Sequence, residues 1–297
     1  MKRSLSFVLA VILAVSTLFC FASCSDSQKL NFGKELLAIT SQLDALNGLK
    51  KGDADVAVID SVMAGYYMNG TTEFKDYQIL NNVVFAEEKY GIAAKKGNDA
   101  LMSKINEALI ALVATDYATV AATYGLTSEL LVKADTVNPL ASATDGSWDA
   151  VVADKKLIVG YTLFAPIAYK DGDGADANLI GFDIDLAKAV VNYLNTTYTA
   201  EIEIEFVVID WNQKEALLEN GSIDLVWNGM TITEERSANM SISVPYLANK
   251  QVAVISKAKA AEINVANYDE FVTKAAEYVV IVEKGSAGES IVVPAED

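Results

Sequence analysis

WNGMTITEER, residues 227–236, follows the short apolar run from Ile223 to Val226. The run is short and branched enough for a buried strand, and Gly229 breaks it. Thr233 then stands where a helix cap is needed, with Glu234 and Glu235 filling an acidic first turn. Thr231 and Arg236 lie five positions apart just beyond the strand, so a hydroxyl and a guanidinium can meet on one small anion. A carboxylate suits that pair, because a planar guanidinium grips it through two parallel hydrogen bonds. The competing reading gives Thr233 only a cap and Arg236 only a surface salt bridge.

With 297 residues, 52% of them hydrophobic, the chain has apolar surface for one large core or two moderate ones. A formal charge of -17 opposes nucleic acid and anionic membrane surfaces as partners. The sequence has no histidine, which removes Ser-His-Asp and Cys-His triads, histidine bases and the usual zinc sites together. No metal and no cofactor are expected.

Lys2 and Arg3 precede an apolar run from about Leu5 to Phe21, too short for a spanning helix and placed as an export signal is. The run ends in Phe21-Ala22-Ser23-Cys24, which resembles a lipobox. Residues 1–24 are therefore expected to be a lipoprotein signal peptide, Cys24 the lipidated residue and 25–29 a polar tether. Plain secretion with cleavage nearby is the alternative.

Beyond the tether, Glu35 to Thr40 reads as a strand, followed by a helix with Leu43, Leu46 and Leu49 on one face. Asp55 to Ile59 is a second strand. It delivers Asp60 past its C-terminal end, where ligands sit in open α/β sheets, unless Asp60 merely caps the helix from Ser61. Val83 to Phe85 and Tyr90 to Ala94 read as separate strands, 99–113 and 118–124 as helices, and 133–154 as a linker. A new unit opens with the strand Lys156 to Gly160 and a loop containing Phe164 and Pro166. The turn with Asp171, Asp173 and Asp176 fails the EF-hand pattern at Ala175 and Phe182, so it reads as a solvated hairpin turn. A helix from Gly181 to Leu194, a half-buried strand to Val208, Trp211 and a further helix lead to WNGMTITEER. Later come the strands Val252 to Ile255 and Val279 to Val282. Gly285-Ser286-Ala287-Gly288-Glu289 then frees backbone N–H groups for an anion, without the Gly-Lys-Ser/Thr of a nucleotide loop.

The order of segments resembles the extracellular amino-acid solute-binding proteins of ABC importers, bacterial family 3 type. The similarity to that family's first half rests on Gly160, Phe164, Pro166, Gly181-Phe182-Asp183-Ile184-Asp185-Leu186-Ala187, Gly229-Met230-Thr231-Ile232-Thr233 with Arg236, Pro245-Tyr246 and Gly285-Ser286. The second half is matched by Leu49-Lys50-Lys51-Gly52, Ala54 to Asp60, Tyr90-Gly91-Ile92-Ala93 and Tyr124-Gly125-Leu126. The second half comes first, so the resemblance implies a circular permutation; a gene-model error or a fragment of a longer protein would give the same order.

The resemblance implies an α/β, two-lobe fold of the type II periplasmic-binding-protein kind with two hinge strands. Lobe 1 would comprise 91–134 and 154–249, lobe 2 would comprise 30–90 and 250–297, and 135–153 would join the family's usual termini. It further implies that Arg236, with Thr231 and the Gly229 backbone, binds a ligand α-carboxylate, that Ser286 and Ala287 add donors from the second lobe, and that Asp60 receives the α-ammonium. Phe164 and Trp211 would flank the ligand side chain, with Asn228 a further contact. The implied protein is an extracytoplasmic, lipid-anchored monomer that delivers an amino acid to an ABC transporter permease, and not an enzyme. A ligand-sensing lipoprotein and a dehydratase-like enzyme are the alternatives on the same fold. Tyr161 and Thr162 stand where family members with basic ligands often carry an acid, so an uncharged or modestly polar amino acid is expected.

Overall fold

The computed structural model describes residues 29–294 apart from 173, 175 and 176. The export signal, Cys24 and, in the turn, Asp173, Ala175 and Asp176 therefore lie outside the described residues. The strands are β1 (Glu35–Ile39), β2 (Val56–Asp60), β3 (Tyr77–Lys95), β4 (Lys156–Tyr161), β5 (Tyr169–Asp171), β6 (Asn178–Ile180), β7 (Glu203–Val208), β8 (Leu225–Thr231), β9 (Met240–Ile242), β10 (Leu247–Ser256) and β11 (Val279–Glu283). One mixed sheet has the order β1-β11-β2-β10-β3-β8-β4-β7 with β9 paired to β3, and β5 and β6 form a hairpin.

The two ends of this sheet follow one plan. β1, β11 and β2 are parallel, with β10 antiparallel beside β2; β7, β4 and β8 are parallel, with β3 antiparallel beside β8. Because β10 and β3 are themselves antiparallel, the two parallel sets run in opposite directions. Their offset follows from register. Asp60 at the end of β2 faces Gln251, and Thr231 at the end of β8 faces Tyr90, whose partner on β10 is Leu247. Both sets thus end at one crossing region, with their ligand-bearing C-terminal ends turned toward each other.

Helices cover the faces: α1 (Gln42–Lys51), α2 (Ser61–Gly70), α3 (Asp99–Ala111), α4 (Asp116–Thr123), α5 (Ser147–Asp154), α6 (Phe182–Tyr198), α7 (Lys214–Glu219), α8 (Glu234–Asn239), α9 (Lys257–Ile263), α10 (Tyr268–Lys274) and α11 (Ala287–Val292). Their limits follow local chemistry. The Ser41 hydroxyl accepts from Asp44 N to start α1, and Gly52 at φ 82° ends it. The apolar stripe of α3 buries Leu101, Ile105 and Leu109 in the main core with Phe182, Trp227 and Tyr246.

Two sequence expectations change. The two strands around Ala86-Glu87-Glu88-Lys89 are one strand of 19 residues, because that polar stretch pairs by backbone with β10. The linker 135–153 is not wholly irregular. It ends in α5, and it caps a neighbour: Ala100 N donates to Asp145 Oδ2 at 2.6 Å and Leu101 N to Ser147 Oγ at 2.9 Å. The ends of the described chain meet, with Asn31 N donating to the Val292 carbonyl and Asn31 Nδ2 to the Ile291 carbonyl, both at 2.8 Å.

Candidate functional site

The facing strand ends enclose one cleft, and Asp60, Phe164, Trp211, Asn228, Gly229, Thr231, Arg236, Ser286 and Ala287 all line it. Gln42, Thr162 and Glu283 complete the wall. The cavity measures about 20 Å³, room for about one water and for no amino acid unless the walls part.

One wall is cationic. Thr233 does cap α8, its hydroxyl accepting from Arg236 N at 3.1 Å. Among the described residues Arg236 itself is in no salt bridge. Its side chain is 9% exposed, and its guanidinium donates to the Thr231 carbonyl at 2.8 Å and across the cleft to the Gly285 carbonyl at 3.1 Å. Burial lowers its pKa, yet a guanidinium holds its charge in such surroundings. Lys214 joins it, donating to the Gly285 carbonyl at 3.3 Å and to the Trp211 carbonyl at 3.4 Å. Burial first, and then Arg236, pull the Lys214 amine down to about 8.

Gly229 is held from below. Its N–H donates to Asp183 Oδ2 at 2.8 Å, and the Tyr246 hydroxyl donates to the same oxygen at 2.7 Å. With φ 62°, and with an added Cβ falling 2.7 Å from Phe164 Cε1, the position admits only glycine without strain. Burial pushes the Asp183 carboxyl up to about 7. The Asn228 amide pairs with the Thr162 hydroxyl at 2.8 Å, and the Thr231 hydroxyl donates to Glu88 Oε2 at 3.0 Å.

The opposite wall is acidic. Asp60 occupies the N-cap position of α2, but its carboxylate makes no capping bond, so the capping alternative does not hold. It accepts instead from Gln42 Nε2, Asn249 Nδ2 and Gln251 Nε2, the last at 2.7 Å, while Gln42 Oε1 accepts from Asp60 N at 2.9 Å. Asn249 and Gln251 also donate to Glu88, so the acid is tied to both crossing strands. Burial, followed by the Glu88 charge, pushes Asp60 up to about 7. Glu283, at the end of β11, is pushed up to about 8 by burial and then by Asp60. Ser286 caps α11 by accepting from Glu289 N at 3.2 Å, and Glu289 Oε2 accepts from Gly285 N at 2.7 Å.

Gln42 and Glu283 line the cleft without a sequence expectation, Thr162 is marked in the sequence only as a neutral residue of the loop after β4, and Lys214 adjoins the wall through the Trp211 and Gly285 carbonyls. For Glu283 a signal exists: it is the last residue of a parallel strand, as Asp60 is, one position beyond the Val282 at which the sequence pattern ends the strand.

Residues 157–289 match the family described as bacterial extracellular solute-binding proteins, family 3. The chain is 35% identical over 125 residues to the arginine-binding extracellular protein ArtP of Bacillus subtilis, covering 41% of this chain and 45% of that protein. It is 36% identical over 96 residues to a probable histidine-binding protein of Neisseria gonorrhoeae, covering 32% of each. A substrate-binding protein of an ABC uptake transporter from Streptococcus pneumoniae, solved with bound histidine, is 34% identical with a TM-score of 0.27, over 32% of this chain and 36% of that one. The chain thus spans less than half the length of these relatives.

Proposed function

Residues 157–289 belong to the bacterial extracellular solute-binding proteins, family 3, and from that premise we propose that the chain captures an amino acid between two lobes and delivers it to an ABC importer permease. One observation carries the reading: Arg236 and Asp60, from the two opposed strand sets, are both buried in the wall of a single cleft. A zwitterion needs a fixed cation, a fixed anion and several neutral donors, and this wall offers that set.

In this proposal lobe 1 comprises 91–134 and 154–249, and lobe 2 comprises 30–90 and the chain from 250 onward. β3 and β10 are the hinge strands, bending near 88–91 and 247–251 to admit ligand before the lobes close on it. The Arg236 and Lys214 bonds to the Gly285 carbonyl join the lobes in the closed form. Ser286 and Ala287 contribute donors, and Thr231 its hydroxyl on release from Glu88, whereas the Gly229 N–H stays with Asp183; Phe164, Trp211 and Asn228 border the ligand side chain.

The chain order is proposed to be a circular permutation, with 135–153 joining the family's usual ends; the meeting of Asn31 with Val292 supports this. Cys24 is the proposed site of a lipid anchor, and the protein works as an extracytoplasmic monomer that binds its ligand without turning it over. A thermal-shift series with the twenty amino acids tests the reading. At a ligand concentration about a hundred times the dissociation constant, binding adds about 2.7 kcal/mol, which should raise the melting temperature by several degrees. No shift with any of the twenty would refute amino-acid capture.

A further inference from the structure

The geometry points to a cationic side chain on the captured amino acid, paired with Glu283 while Asp60 takes the α-ammonium. This rests on the amino-acid reading above. Glu283 is 5% exposed and lines the cleft beside Asp60. The Gln42 amide is bonded to Asp60 on both its oxygen and its nitrogen, and it also eases ionisation of Glu283, so it sits between the two acids. Among the described residues, no Lys or Arg nitrogen comes within ion-pair distance of either carboxylate.

An amino acid with a neutral side chain brings one ammonium and one carboxylate. Arg236 meets the carboxylate and Asp60 the ammonium. Glu283 is then a second buried acid whose cationic neighbour, Lys214, stays beyond ion-pair distance, so it must hold a proton or ionise at a cost in a closed, water-poor site. A side-chain ammonium or guanidinium removes that cost. The charges lining the cleft agree: Arg236 stands against Asp60 and Glu283, and a ligand with one net positive charge balances them. Phe164 and Trp211 offer aromatic faces to an alkyl stem or a guanidinium plane. The acid thus comes from the end of β11, whereas the sequence expectation of an uncharged ligand considered only the loop after β4.

Calorimetric titration of the whole protein with L-arginine, L-lysine and L-citrulline tests the assignment, since citrulline keeps the arginine shape without the charge. Arginine or lysine should bind about a hundredfold more tightly than citrulline. Glu283→Gln should erase that preference, bringing arginine, lysine and citrulline to within about threefold of one another. Citrulline binding as tightly as arginine and lysine, or Glu283→Gln weakening all three equally, overturns the assignment. If Glu283→Gln does not fold, the wild-type ratio of arginine to citrulline decides alone. Binding of neutral amino acids only would refute this inference and leave amino-acid capture standing; binding of none would refute both.

Discussion

Arg236→Ala should weaken amino-acid binding by about a thousandfold, read by calorimetry against the ligand that gives the largest thermal shift. The expected loss is large because the guanidinium is buried and held in place before ligand arrives. Thr233 fixes the helix turn that carries it, and the Thr231 carbonyl fixes the direction of the fork. A ligand carboxylate would exchange with the Gly285 carbonyl for the guanidinium N–H that crosses the cleft. Removing the guanidinium leaves that carboxylate desolvated and without a counter-charge, which costs more than the lost contact itself. Arg236→Lys should recover only part of the affinity, because an ammonium cannot make the paired parallel bonds. Circular dichroism serves as the control for folding. Unchanged affinity in a folded Arg236→Ala protein would remove the cationic end from the site.

Between about pH 5 and about pH 8 the ligand-free protein should lose stability, its melting temperature falling by about 5 °C or more. Asp60 and Asp183 are raised to about 7 and Glu283 to about 8, from ordinary values near 4, and burial is the leading cause for each. A carboxyl raised on folding binds more protons in the folded state than in the unfolded chain. Its contribution is therefore fully present below the unfolded pKa and is lost as pH rises through the folded one. Acids such as Asp55 and Asp145, which are lowered on folding, act below this window, and Lys214, lowered to about 8, acts above it. Glu283→Gln should flatten the profile by removing one of the three groups. A saturating cationic amino acid should flatten it further, since it favours the ionised acids. A melting temperature that rises steadily from about pH 5 to about pH 8 would contradict the raised carboxyls.

Much of the cleft was legible because its parts are signalled locally. An apolar run followed by a polar residue placed Asp60, and a strand, a glycine and a threonine cap placed Gly229, Thr231 and Arg236. A Gly-Ser pair before a short helix placed Ser286 and Ala287. Other parts depend on contacts between distant segments. Gln42 opens α1, yet it serves Asp60 18 positions later, and Asn249 reaches Asp60 across 189 positions. Asp183 reads locally as one acid in the first turn of α6, but its carboxylate holds the Gly229 N–H, 46 residues on. The continuity of β3 was hidden for a related reason. The polar run from Ala86 to Lys89 has no apolar face to announce a strand, and its order comes from backbone pairing with β10.

In the proposed function this cleft holds both ends of an amino-acid zwitterion, the carboxylate at Arg236 and the ammonium at Asp60. Its most direct test is calorimetric titration with the preferred amino acid, its α-carboxamide and its α-deamino analogue. Both analogues should bind at least about a hundredfold more weakly than the parent, since each leaves one buried charge without its partner. Either analogue binding as tightly as the parent amino acid would rule out zwitterion recognition by Arg236 and Asp60.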